Sequence, residues 1–303
     1  MSGHFQKIKS ISQYHQFMGL PSPEHPLISV IDFTQVVLTK SESPISYIFD
    51  FYAITLKENF KGKMKYGQKE YDFDEGVLSF IAPGQVFSFE MNAPQQPTGF
   101  IILIHPDFFW GTALANAGNK YEFFQYTTNE ALFLSDKEKR ILFNLKDIIH
   151  EEYLSNIDTF SQDIIISQLE LLLNYSNRFY KRQFITRNRL NVDIQQKLES
   201  YLETYFNRHD ALKNGLPTVQ QLADQVNLSP SYLGDMLRAL TGRNAQQLIH
   251  DKLIEKSKEL LSTTNLSVSE IAFQLGFDYS QSFSRLFKSK MDISPMEFRK
   301  SFQ

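Results

Sequence analysis

A chain of 303 residues with 42% hydrophobic and 14% aromatic content has enough apolar surface for two packed domains, and offers no apolar run of about 18 residues to span a membrane. It contains no Cys, which excludes disulfides, thiolate metal sites and cysteine nucleophiles and suits a reducing cytoplasm. The net charge of -3 is split: residues 181–303 hold 17 Lys/Arg against 13 Asp/Glu, or +4, leaving 14 against 21, or -7, in residues 1–180. A basic segment beside an acidic one fits a polyanion-binding module joined to something else, although a balance of +4 alone does not decide it.

The opening "MSGHFQKIKSISQYHQF" has neither the unbroken apolar core nor the small-residue cleavage site of a signal peptide. Residues from about 26 to 105 read as strands. "PLISVIDF" and "SYIFDFYAITL" are β-branched and aromatic, and turn chemistry separates the short apolar runs of "MKYGQKEYDFDEGVLSFIAPGQVFSFEM". "GFIILIH", Gly99 to His105, predicts a fully buried last strand. Strands at this spacing favour a β-barrel or sandwich.

After Pro106 the period changes. "PDFFWGTALANAG" predicts a short helix ending at Gly118. Ser135, with Glu138 three residues on, forms a capping box opening "DKEKRILFNLKDIIHEEYL". A further helix is expected from about Asp158 to Gln183. It carries Ile165, Leu169, Leu172 and Phe179 on one apolar face and Ile164, Leu171 and Tyr175 on another. A helix apolar on two sides is covered from two sides, within its own core or by a second copy of the chain. The polar, basic "KRQFITRNRLN" that follows predicts a linker, set at 184–192, between a first domain of residues 1–183 and a second of residues 193–303.

The second domain reads as all helix and contains a repeat. Thr218, Leu222, Ala223, Val226 and Leu228 match Ser267, Ile271, Ala272, Leu275 and Phe277 at an offset of 49. Leu233, Leu237 and Arg238 then match Phe283, Phe287 and Lys288 at an offset of 50. Each copy has a Ser/Thr cap, a two-turn helix with a small residue at its crossing point, a corner and a second apolar-faced helix, which is a helix-turn-helix. Asn227 and Gly276 occupy the corners, where left-handed backbone is easiest, and Ser229 and Ser280 cap or open the second helices. Leu233, Met236, Leu237 and Leu240 face inward, as do Phe283, Leu286 and Phe287. The opposite faces carry Ser231, Gly234, Asp235 and Arg238 in one copy, and Gln281, Ser284, Arg285 and Lys288 in the other. Gln and Arg one turn apart reach adenine and guanine edges in a major groove, and Lys suits a phosphate. Between the copies "NAQQLIHDKLIEKSKELLSTT" predicts one helix with Leu248, Leu253, Lys256 and Leu260 near one face. Some 18 residues span about 27 Å, close to the roughly 34 Å between successive groove entries.

With "EIAFQLGF", "FSRLFK" and "SPMEFRK", residues 193–301 resemble the DNA-binding domain of AraC/XylS-family transcription regulators. The resemblance implies two helix-turn-helix units joined by a linker helix, each placing one helix in the major groove. Its base-contacting positions fall on Ser231, Gly234 and Asp235, and on Ser280, Gln281, Ser284 and Arg285. The sequence departs from that pattern at Gly234 and Asp235, where long polar residues are common, at Ser282, where Tyr or His is frequent, and at Asp292, which replaces a Gly. "EGVLSFIAPGQVFSF" more weakly resembles the cupin-like sensor barrel of many such regulators. The expected fold is therefore an α+β two-domain protein, with a cupin-like β-barrel and following helices, then an all-α domain. The implied partners are promoter DNA, a small-molecule effector, a second copy of the chain through the helix around Ile165 to Phe179, and RNA polymerase; a membrane is not among them. The aromatic residues fit a barrel core or an effector pocket.

Chemistry of other kinds finds little support. The seven His, at 4, 15, 25, 105, 150, 209 and 250, show no metal-ligand spacing. No phosphate-binding glycine loop or nucleophile elbow occurs, so no metal, cofactor or catalytic residue is expected. Asp72, Asp74 and Glu75 read as a hairpin turn. Two alternatives stay open: a regulator without a ligand, whose barrel only dimerises or binds proteins, and, more remotely, a non-metal cupin enzyme bearing a DNA-binding domain.

Overall fold

The computed structural model describes residues 5–36, 45–58, 64–66, 69–71, 76–89, 98–127, 130–155, 160–186, 188–208 and 210–302. The chain divides into two compact units, residues 1–183 and 184–303. The acidic cluster at 72–75 lies outside the described residues.

In the first unit, β1 (Phe5–Ile8), β3 (Ile45–Phe49) and β8 (Val86–Phe89) form one sheet, in the order β1-β3-β8. A second sheet takes β2 (Ile28–Asp32), β4 (Tyr52–Glu58), β7 (Val77–Ile81), β9 (Thr98–Ile104) and β10 (Leu132–Phe133), in the order β10-β7-β4-β9-β2 and antiparallel throughout. β5 (Met64–Tyr66) and β6 (Lys69–Tyr71) form a separate hairpin. The two larger sheets share one apolar interior, with Tyr47, Phe49 and Phe87 against Ala53, Ile81, Ile101 and Leu103. Among the described residues no strand pairing joins them into a closed barrel, so they form two facing open sheets.

The run Phe100–Ile104 is buried on both faces because each face of β9 is covered. Ile101 and Leu103 enter the shared interior, while Phe100 packs edge-on against Phe143 of α3 (Asp136–Leu154). Nearby, Phe80 of β7 meets Phe123, Phe124 and Tyr180, the last on α4 (Ser161–Thr186). The Ser135–Glu138 capping box opens α3 as expected. The helix expected across Pro106–Gly118 is broken instead. A single tight turn at Pro106–Phe109 gives way at Gly111, whose φ of 75° is left-handed, and a four-residue helix, α2 (Ala117–Lys120), follows. His15, on the helix α1 (Ile11–Met18), is a satisfied core residue: its Nε2 lies 2.8 Å from the Ser29 hydroxyl.

In the second unit the expected linker is helical on both sides of position 187. α4 runs to Thr186, and α5 (Asn188–Asn207) follows. Phe184 is fully buried against the edge of Tyr232, and Asn191 donates to its carbonyl, so burial rather than charge decides the local structure. There follow α6 (Asp210–Asn214), α7 (Val219–Val226), α8 (Pro230–Thr241), α9 (Ala245–Thr263), α10 (Val268–Gln274), α11 (Ser280–Met291) and α12 (Pro295–Lys300). α9 buries Ile249, Leu253, Ile254, Leu260 and Leu261 against helices of both repeats. Lys256 is half-buried and paired with Glu259, and Leu248 is half-buried.

Candidate nucleic-acid interface

The two repeats fold as two helix-turn-helix units, α7–α8 and α10–α11, and their corners show why the sequence turns there. Asn227 takes φ 54° and Gly276 φ 89°. Capping boxes at Thr218–Gln221 and Ser267–Glu270 open the first helices. Ala223 and Ala272 are fully buried where the helices of each unit cross. Gly276 is required twice over: a Cβ there would sit 2.7 Å from the Gly215 carbonyl carbon and 2.9 Å from the Ala211 carbonyl oxygen. The second helices differ at their start. Ser229 caps α8 through the Tyr232 amide, whereas Ser280 is the first residue of α11, behind an uncapping Tyr279.

Leu233, Met236 and Leu237 fill the core beneath α8, as Phe283 and Phe287 do beneath α11, while Leu240 and Leu286 are only half-buried. The outward faces are unequal. On α11 Gln281, Arg285 and Lys288 are exposed, with Ser280 and Ser284 half-buried beside them. Among the described residues no side chain holds Gln281 or Arg285 in a hydrogen bond or ion pair. On α8 Ser231, Gly234 and Asp235 are half-buried, and Arg238 is exposed. Asp235 accepts a hydrogen bond from Arg238 Nη1 at 2.7 Å, so the acid and the cation of this face engage each other.

Sequence reasoning missed a third feature. Asp251 of α9 accepts from Arg243, just past α8, at 2.6 Å and from Lys290, near the end of α11, at 3.2 Å. One carboxylate thereby holds a cation from each unit. No local motif announces it, because Lys290 is 39 residues from Asp251 and meets it only through helix packing.

A family model described as "Helix-turn-helix domain" matches residues 222–301. The Msm operon regulatory protein of Streptococcus mutans serotype c is 26% identical over 266 residues, covering 84% of this chain and 86% of that protein. The arabinose operon regulatory protein of Escherichia coli (strain K12) is 37% identical over 81 residues, 27% of this chain and 28% of its own. The C-terminal domain of AraT, a response regulator from Geobacillus stearothermophilus, aligns with 36% of this chain and 84% of its own at 31% identity, with a TM-score of 0.32, too low to bear on the fold. The chain is a DNA-binding transcriptional regulator with an AraC-type helix-turn-helix domain.

The regulator's first domain holds a small, partly open cavity between the two sheets. Rings of Tyr14, Phe33, Tyr47, Phe49 and Phe87 line it, together with Ala53, Thr55 and Lys57 of β4. Burial pushes the Tyr14 and Tyr47 hydroxyls up and pulls the Lys57 amine down to about 8. Among the described residues no group of His, Cys, Asp and Glu is arranged to hold a metal, and no helix is long and apolar enough to cross a membrane.

The face of α4 expected to pair subunits is occupied. Ile165, Leu169, Leu172 and Phe179 are buried within their own domain. The helix packs there against the segment that carries Phe108, Tyr121 and Phe123, through Gln162, Asn174 and Tyr180 respectively. Ile164 at 41% and Leu171 at 42% remain exposed on the other stripe.

Proposed function

We propose that the regulator seats α8 and α11 in successive major grooves of promoter DNA and that α11 does most of the base reading. The carrying observation is the contrast between Gln281 and Arg285, exposed one turn apart on α11, and Asp235, which engages Arg238 on α8. Gln281 and Arg285 supply paired hydrogen bonds to adenine and guanine edges, Ser280 and Ser284 supplement them, and Lys288 meets a phosphate. Ser231 and Gly234 let α8 approach the groove closely without long side chains, so α8 positions more than it reads. α9, with 19 residues, is about 28 Å long, which suits units one helical turn of DNA apart.

The first domain acts as a cupin-like sensor and dimerisation domain. Its hollow interior supports binding of a small-molecule effector, and the relatives named for the arabinose, xylose and raffinose operons support control of catabolic genes. Pairing of two copies uses the exposed stripe of α4, Ile164 and Leu171, because the other face is already buried. RNA polymerase is the partner through which bound regulator acts.

The test begins with selection of binding sites from random DNA by the full-length protein. Competition binding over variants of the selected site then compares Arg285→Ala with Asp235→Ala at fixed salt. Loss of preference confined to the half-site under α11 is the expected result. Greater damage from Asp235→Ala reverses the assignment.

A further inference from the structure

Ser79, Thr55 and Lys57 make a short polar line in an otherwise apolar cavity. Side chains of a strand alternate, so Ala53, Thr55 and Lys57 of β4 share the inner face. Thr55 stands opposite Ser79 of β7 and Ile101 of β9, and Lys57 stands opposite Gly99. Gly99 has a φ of 123°, and a Cβ there would collide with the Leu56 carbonyl oxygen, so the wall beside Lys57 stays bare. The Ser79 hydroxyl donates to the Thr55 carbonyl at 3.4 Å. The Lys57 ammonium lies 5.5 Å from the centroid of the Phe33 ring. The rest of the lining is Tyr14, Phe17, Met18, Tyr47, Phe49, Ile81, Phe87, Ile101 and Leu103, of which the two tyrosines are the other titratable groups among the described residues.

Anything bound here meets one cation and two hydroxyls along one line, and elsewhere aromatic or aliphatic carbon broken only by the Tyr14 and Tyr47 phenols. A sugar carries hydroxyls around its whole perimeter. Set against Phe49, Phe87, Ile101 and Leu103, several of them would be desolvated without a partner, which weakens binding. A neutral hydrocarbon fills the apolar part and gains nothing from the amine. A carboxylate at the polar line gains charge-assisted hydrogen bonds, roughly twice as strong as neutral ones.

We infer that the cavity takes a small monocarboxylic acid as its anion, the carboxylate on Lys57 and the Thr55 hydroxyl and an apolar or aromatic body among Tyr14, Tyr47, Phe49 and Phe87. This rests on the reading of the cavity as the regulator's effector site. The lowered Lys57 amine accords with it, since a carboxylate beside an ammonium in a desolvated site restores the charged form.

Calorimetric titration of the full-length protein with phenylacetate, hexanoate, phenylacetamide and melibiose tests the inference. Phenylacetate is expected to bind at least tenfold more tightly than phenylacetamide, its neutral counterpart, with melibiose silent. The comparison is made in the wild-type protein and does not depend on a variant folding. Lys57→Met, where it folds, should bind acid and amide alike. Equal affinity of the acid and amide in the wild type, preference for melibiose, or silence of both acids overturns the inference. DNA binding with and without phenylacetate separates the two ideas. Tight acid-selective binding that leaves DNA affinity unchanged supports the ligand class and removes the effector reading.

Discussion

Arg238 and Asp235 lie one turn apart on α8 and share a hydrogen bond of 2.7 Å from Nη1 to Oδ1. The pair is partly solvated, so its contribution to folding is small, on the order of 0–1 kcal/mol. Its consequence is for DNA. A cation engaged by its own helix is less available to a phosphate, and the carboxylate repels the backbone. Asp235→Ala should therefore raise non-specific affinity and steepen the dependence of log K on log salt by about 0.9, as one more phosphate contact forms. Titrations against random-sequence duplex at several salt concentrations check this. An unchanged slope means that Arg238 does not reach the backbone.

Arg285→Ala is expected to cost about 1–3 kcal/mol at the selected site and to flatten preference beneath α11. Lys288→Ala should weaken all sequences alike and reduce the salt slope by about 1. Competition binding with a panel of single-base variants separates these outcomes. If Lys288→Ala alters sequence preference, the roles on α11 are wrongly divided.

Two glycines should respond with opposite sign. At Gly276 the backbone is left-handed, and an added Cβ would press on the Gly215 and Ala211 backbone. Gly276→Ala should cost at least about 2 kcal/mol. Gly234 lies mid-helix, and a Cβ there meets nothing within 4 Å. Gly234→Ala should stabilise by about 0.5–1 kcal/mol. Urea unfolding of the two variants decides the matter, and a stabilising Gly276→Ala would contradict the packing described.

The Lys57 amine titrates near 8 when folded and at its ordinary 10.5 when unfolded. Between those values the unfolded chain holds a proton that the folded chain lacks, so stability should rise with pH. Below about 8 both states are protonated and the cost of burying the ammonium is present in full. Burial raises the pKa of the neighbouring Tyr14 and Tyr47, which produces the opposite trend once unfolded tyrosines ionise near 10. The clean window is therefore about pH 8 to 9.5. Urea midpoints measured there should climb for the wild type and stay flat for Lys57→Met. Parallel curves would show that Lys57 is solvated.

The sequence by itself determined the helix-turn-helix repeat. Its signals are local: Thr218 and Ser267 cap within three residues, Asn227 and Gly276 permit the corners, and Leu233 and Phe283 recur on one helical face. Helical period and capping depend on neighbours in the chain, so they can be read in order. Tertiary structure decided what depends on distant groups. It paired Arg238 with an acid of its own helix and joined Arg243 and Lys290 on Asp251. It sent the Ile165–Leu169 face of α4 into its own domain, where periodicity marks an apolar face but not its cover. It placed helix on both sides of position 187 in the basic segment expected as a linker, because Phe184 is buried against Tyr232. It left two sheets facing across a hollow where strand spacing allowed a closed barrel. Strand spacing gives the number and length of strands, but pairing partners are settled by contacts far apart in sequence. Lys57 reads as one charge at the end of an apolar strand, and only the register of β4 against β7 and β9 sets it beside Thr55 and Ser79.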